Sequence, residues 1–189
     1  CEHVANHGGY LWRYSADLSR REGEGKATDT MVWVQPPGTP AVGLAFIDAY
    51  RDTGDRYYLD AAVETAHALV QGQLQSGGWE YHIEFDSEKR KEYAYRSDGR
   101  TEGRNTTTLD DNTTQAALRC LIAVDRALEF KDIGIHEAAL YGLDALLKAQ
   151  YPNGAWPQRY HAFPDPAKYP VKPAEYPESW SRTYAKHDY

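Results

Sequence analysis

Residues 40–79 read PAVGLAFIDAYRDTGDRYYLDAAVETAHALVQGQLQSGGW, and residues 117–156 read ALRCLIAVDRALEFKDIGIHEAALYGLDALLKAQYPNGAW. The two stretches end on Trp79 and Trp156, 77 residues apart, and overlay without a gap. Leu44 falls on Leu121, Ile47 on Val124, Asp48 on Asp125, Ala62 on Ala139, Leu69 on Leu146, Gln73 on Gln150 and Gly77 on Gly154. Self-similarity at a fixed period is the mark of a repeat architecture. The opening VANHGGYLWRYS (4–15) reads as the tail of an earlier copy, with Gly8, Gly9 and Tyr10 standing for Gly77, Gly78 and Trp79.

Each copy reads as two helices. Leu44, Ile47 and Tyr50 keep helical spacing, as do Leu118, Leu121 and Ile122. Short breaks follow at TGD (53–55) and KDIG (131–134). The second helices are rich in alanine, which favours helix and close helix packing, and Gly77 and Gly154 stop them. Repeated hairpins of this size stack side by side. The expected fold is therefore all-α: antiparallel helix hairpins stacked as an α/α toroid or a solenoid, incomplete in this chain, forming one domain over residues 1–189. It is expected to be cut at both ends. A strand is expected near WEYHIEF (79–85), and the polar stretch 86–109 reads as loop.

A hairpin returns the chain to the end it left. The segments before the first helices and after the second ones therefore meet. TTLDDNTT (107–114) comes beside YPNGAWPQRY (151–160), and MVWVQPPGT (31–39) beside GGWEYHIEF (77–85). That end gathers Trp12, Trp33, Trp79, Trp156, Gln35, Gln158, Asp110 and Asp111, and reads as the mouth of a site.

The chain of 189 residues carries a net charge of −7 and no basic stripe, which argues against nucleic acid as a partner. Its 15 tyrosines and 5 tryptophans suit sugar binding, where flat rings stack on sugar faces. Cys120 lies in the apolar run LRCLIAV and is expected as a buried thiol; Cys1 can carry a lipid anchor. No apolar run reaches the roughly 18 residues that a membrane span needs. Seven histidines show no metal-ligand spacing, and His67 and His136 read as surface or packing residues.

TLDDN (108–112) is the strongest polar constellation. Adjacent carboxylates can supply oxygens to a hard cation such as Ca²⁺. The same residue types also cap helices. Two acids can alternatively serve glycoside hydrolysis, which needs a second, well separated carboxylate. Arg104, just before this loop, can meet an acidic ligand.

QYPNGAWPQ (150–158) closely resembles the QYPNGGWPQ signature of the polysaccharide lyase family 10 pectate lyases. TLDDNTTQAALRCL (108–121) resembles the family segment that begins TIDN and carries an arginine on the following helix. Asp110, Thr114 and Arg119 fall on the family's aspartate, threonine and arginine. Asp111 stands where the family has an amide, Ala155 replaces a glycine, and HAFPDPAKYPVKPAEYP (161–177) is an added Pro-rich loop over the mouth. The resemblance implies an exported α/α toroid enzyme, secreted or periplasmic, that cleaves polygalacturonate by Ca²⁺-assisted β-elimination and acts as a monomer. It implies Ca²⁺ on Asp110 and Asp111. Expected substrate contacts are Trp33, Arg104, Tyr151, Asn153, Trp156 and Gln158. The base arginine is expected beyond residue 189, so the chain alone is expected to be inactive. The alternatives are an α/α-barrel glycoside hydrolase and a non-catalytic glycan-binding repeat protein.

Overall fold

A computed structural model of the chain describes residues 4–173 and 175–181. Four helices dominate: α1 (Thr39–Thr53), α2 (Arg56–Gln71), α3 (Thr113–Ala127) and α4 (Ile133–Lys148). They form two hairpins, α1–α2 and α3–α4. α3 packs on α1, α2 and α4.

Each hairpin is set by local chemistry. Pro40 sits in the first turn of α1, where its missing N–H costs nothing, and Gly54 ends the helix in the left-handed conformation at φ 70°. The Asp55 side chain accepts from Tyr57 N at 2.9 Å to start α2. Asp132 does the same for α4 through Ile135 N at 3.0 Å. The helices then bury one apolar stripe each. Ile47, Leu59, Leu69, Leu121, Val124 and Ile135 are inaccessible or nearly so. Such side chains contribute about 1.5–3 kcal/mol each on burial. Gly43 lets the helices approach: a Cβ there would sit 2.6 Å from Cys120 Sγ and 2.8 Å from Thr65 Cγ2. Cys120 is the expected buried thiol, and burial pushes its pKa up to about 12.

The 77-residue period holds for the second helices, which begin at Arg56 and Ile133. It does not hold for the first helices. These begin at Thr39 and Thr113, 74 residues apart, because α3 and α4 are joined by a longer turn (128–132) than α1 and α2 (54–55). The gapless overlay therefore misaligns the first helices. Ile47 corresponds to Leu121, both fully buried, and not to Val124.

The chain is helix-rich, as expected, and short antiparallel ladders link its loops. β1 (Arg13–Tyr14) pairs with β2 (Arg21–Glu22). β3 (Met31–Trp33) pairs with β4 (His82–Glu84), the strand foreseen in WEYHIEF. β5 (Thr107–Thr108) pairs with β6 (Arg159–Tyr160). The last two ladders are repeat equivalents. Trp33 faces His82 as Thr108 faces Arg159. Val34 N donates to Tyr81 O at 2.7 Å as Leu109 N donates to Gln158 O at 2.8 Å. The N-terminal segment follows the same scheme. Tyr10 N donates to Thr39 Oγ1 and Tyr10 O accepts from Trp33 N, as Trp79 N donates to Thr114 Oγ1 and Trp79 O accepts from Thr108 N. These ladders hold the loops at one end of the hairpins and build the site there.

Candidate functional site

Asp110 and Asp111 follow β5 and precede α3. The Asp111 backbone is left-handed (φ 48°, ψ 30°), and so is Asn112 (φ 63°, ψ 22°). Two consecutive non-glycine residues in that region are uncommon, and Asp and Asn tolerate it best. The α3 N-terminus has no side-chain cap hydrogen bond, and the Asp110 and Asp111 carboxylates accept from Tyr81 and Gln35 instead. The two acids are therefore not spent on capping.

Side chains from both repeats hold them. The Tyr81 hydroxyl donates to Asp110 Oδ2 at 2.9 Å, and Asp111 N donates to Asp110 Oδ1 at 3.1 Å. Hydrogen bonds from Gln158 and then Tyr81 hold the Asp110 carboxyl below the usual carboxylate range. Gln35 Nε2 donates to Asp111 Oδ2 at 2.8 Å. Gln35 is itself fixed: its Oε1 accepts from Trp33 Nε1 at 3.0 Å and its backbone O from Trp12 Nε1 at 2.8 Å. Asn112 Oδ1 accepts from Arg119 at 2.7 Å, so Arg119 braces the loop.

Asp110 and Asp111 line a cleft of about 530 Å³ together with Gln115, Leu146, Trp156 and Gln158. Trp156 is 44% exposed, while its indole N–H is fixed on Leu146 O at 2.8 Å. One face of a rigid ring is thus offered beside two acids, the arrangement suited to stacking a sugar. Trp79, its counterpart, makes the same 2.8 Å bond to Leu69 O but is fully buried.

The remaining expected contacts are placed unevenly. Gln158 lies in the cleft. Tyr151 packs on Tyr169 at 5.0 Å, and Asn153 Oδ1 is held by Ala155 N in the turn. Arg104 lies over the Tyr93 ring, 5.5 Å from its centroid, and 4.0 Å from Glu92, and does not line the cleft. Trp33, also an expected substrate contact, is largely covered. It is 8% exposed, with His82 stacked on it at 5.5 Å and Gly23 so close that a Cβ would fall 2.1 Å from the ring. Its role is to hold Gln35.

Tyr81 and Arg159 had no place in the expected site. Arg159 Nη2 donates to the Tyr81 hydroxyl at 3.0 Å, which extends the chain of contacts to Asp110. Their signal was present in the repeat, since Tyr81 is the counterpart of Gln158. Glu80 beside them is half-buried; burial raises its pKa, against the pull of Arg104 and Arg159. His67 and His136 are neither ligands nor simple surface groups. They meet Asp132 and Asp125 at 2.8 Å and tie the hairpin turns together.

Among the described residues no three His, Cys, Asp or Glu side chains converge as a metal cage. Ca²⁺ takes six to eight oxygens. Asp110 and Asp111 supply four carboxylate oxygens, three of them already accepting hydrogen bonds. The pair fits a cation shared with an anionic ligand better than one held by protein alone.

Residues 73–173 match the family model described as pectic acid lyase. The chain belongs to the pectic acid lyase family. Among solved structures it is similar to a family 10 polysaccharide lyase from Cellvibrio cellulosa, with 20% identity and a TM-score of 0.55, over 83% of this chain and 47% of that one. An aspartate-to-alanine mutant of the family 10 polysaccharide lyase from the same organism, in complex with trigalacturonic acid, gives 22% identity and a TM-score of 0.53, over 83% and 48%. The likeness shows a shared fold. The chain spans about half the length of these two relatives. A comparison with curated proteins returns no match.

Proposed function

We propose that this member of the pectic acid lyase family contributes to a polysaccharide lyase that cleaves polygalacturonate, or a related uronate polymer, by Ca²⁺-assisted β-elimination. The observation that carries the reading is the Asp110–Asp111 turn, left-handed at Asp111 and Asn112, braced by Tyr81, Gln158 and Gln35 and lining one cleft with the exposed Trp156 ring. The trigalacturonic acid bound to the similar lyase supports the substrate class.

Asp110 and Asp111 would hold the ion together with a substrate carboxylate. The ion would supply positive charge to stabilise the anion formed as the proton beside that carboxylate leaves. It would also let an acidic protein accept a polyanion. Trp156 would stack a sugar ring. Gln158 would position Asp110, with its remaining amide valence available to a hydroxyl. Gln35 and Trp33 would keep Asp111 in place.

The toroid is part of the same proposal. Leu140, Leu143 and Leu147 on α4 are 53%, 36% and 70% exposed, whereas the equivalent Val63, Ala66 and Val70 of α2 are covered or partly covered. Gln73 Nε2 bonds both Gly77 O and Ala138 O of the next hairpin; Gln150 makes only the Gly154 bond among the described residues. A further hairpin on this face would repeat the α2–α4 contact and continue the ring. Export to meet the polymer, a monomeric state and a lipid anchor at Cys1 belong to the reading; Cys1 lies outside the described residues. Among the described residues no helix is long and apolar enough to cross a membrane.

The test is ultraviolet absorbance of the unsaturated product, using the complete protein on polygalacturonate with Ca²⁺, with chelator, and with Asp110→Ala. Absorbance that needs Ca²⁺ and collapses in the variant is expected. New reducing ends without that absorbance would instead identify a hydrolase.

A further inference from the structure

The loop after Gln158 builds a second pocket. It turns at Asp165, where Ala167 N donates to Asp165 Oδ1 at 3.0 Å and Lys168 N to Asp165 O at 2.9 Å. Phe163 then packs on the buried Tyr160 at 6.1 Å, and Tyr169 stands edge-on to Tyr151 at 5.0 Å. These contacts enclose about 340 Å³ lined by Arg159, His161, Lys168, Tyr151, Phe163 and Tyr169.

The chemistry of this pocket is opposite to that of the cleft. Two fixed cations, a histidine and four aromatic rings, Tyr160 included, line one space in a protein of net charge −7. The one carboxylate in the lining, Asp165, is engaged in its own turn. Among the described residues neither Lys168 nor His161 has an ion pair or side-chain hydrogen bond. Arg159 meets no carboxylate within 4.0 Å there and spends one N–H on Tyr81. A guanidinium has five N–H donors. The pocket also adjoins the cleft. Pro157 lines both, and Arg159 reaches Asp110 through Tyr81.

We propose that the pocket formed by residues 151–169 is an additional subsite that takes one carboxylate-bearing sugar unit of the polymer, directly and without a metal ion. Arg159 and Lys168 receive the carboxylate, and Tyr151 and Tyr169 flank the ring. Charge-assisted bonds of this kind are the strong ones. The proposal rests on the uronate-polymer reading above. It adds a contact beyond the Asp110 cleft, built by a loop that lies outside the shared motifs.

The experiment is calorimetric binding of digalacturonate, hexagalacturonate and a neutral galacto-hexaose to the complete protein in chelator, which holds proposed turnover off. Wild type is compared with a His161→Gln, Lys168→Gln double variant; both positions are exposed, so the fold is retained. The expected result is hexagalacturonate binding weakened by about tenfold in the variant, with the neutral oligomer unchanged. Added salt should reduce the wild-type preference for the acid. Equal hexagalacturonate affinity in both proteins, with wild-type polygalacturonate turnover intact, overturns the subsite alone. An equal loss for the neutral oligomer also overturns it, since the ring and not the carboxylate would be recognised. Absence of wild-type binding and turnover on every uronate would remove the lyase reading and the subsite together.

Discussion

Gln35 and Asp111 are joined by a 2.8 Å hydrogen bond across 76 residues of sequence, from the loop before the first hairpin to the loop before the second. Gln35 is 4% exposed and also accepts the Trp33 indole N–H. Gln35→Glu keeps the shape but replaces a donor to a carboxylate with a second negative charge. We expect it to lower stability by about 2 kcal/mol in urea unfolding, and turnover on polygalacturonate by at least about tenfold. Wild-type stability in this variant would show that the bond does not position the loop.

Tyr81 controls the proton affinity of Asp110. Asp110 is held below the usual carboxylate range by Gln158 and by Tyr81, so it is ionised down to a lower pH than a free carboxylate. Tyr81→Phe removes one of those donors and lets the folded-state pKa rise. The acid limb of the pH–activity profile should move to higher pH, with activity near neutrality less affected. An unmoved acid limb would dissociate Tyr81 from Asp110 ionisation.

The two repeat tryptophans should separate stability from binding. Trp79 is fully buried and Trp156 is 44% exposed, although both make the same backbone bond. Trp79→Ala should cost about 3–5 kcal/mol in chemical denaturation. Trp156→Ala should stay within about 1 kcal/mol while oligogalacturonate affinity falls. Similar destabilisation by both variants would place Trp156 in the core instead.

Gly78 tests how tightly the loops close on the repeat. A Cβ there would lie 2.3 Å from Thr107 Cγ2 and 2.7 Å from Thr114 Oγ1. Gly78→Ala should therefore lower the thermal midpoint, at a cost of about 1–3 kcal/mol. Its counterpart Ala155 is exposed and already carries the methyl, so Ala155→Gly should have a small effect. A neutral Gly78→Ala would mean that Thr107 shifts freely.

Much of this arrangement was legible before any coordinates. The second helices obey the 77-residue period because Trp79 and Trp156 each lock onto their own helix, which keeps helix, Gly77 or Gly154, and tryptophan in register. The meeting of the loops followed from hairpin geometry alone. The first helices escaped because a gapless overlay gives no sign of a turn three residues longer, and apolar residues at nearby helical positions match almost as well. The covering of Trp33 could not be read from the repeat, because its closeness to Gly23 depends on the segment around β1 and β2, which the repeat does not encode. Arg159 and Tyr81 escaped because neither carries a motif; only their position opposite Asp110 gives them meaning.

The ladder equivalences have an ancestral consequence. Val34 pairs with Tyr81 as Leu109 pairs with Gln158, so Gln35 is the sibling of Asp110 and Tyr81 the sibling of Gln158. All four siblings now converge on one acidic turn: Gln35 on Asp111, Tyr81 and Gln158 on Asp110. Once the copies sit side by side, each loop is free to specialise, one keeping an amide where the other takes up a carboxylate. The acidic turn is thus served by both repeats, with Gln158 supplied from its own hairpin and Tyr81 and Gln35 from the neighbouring one.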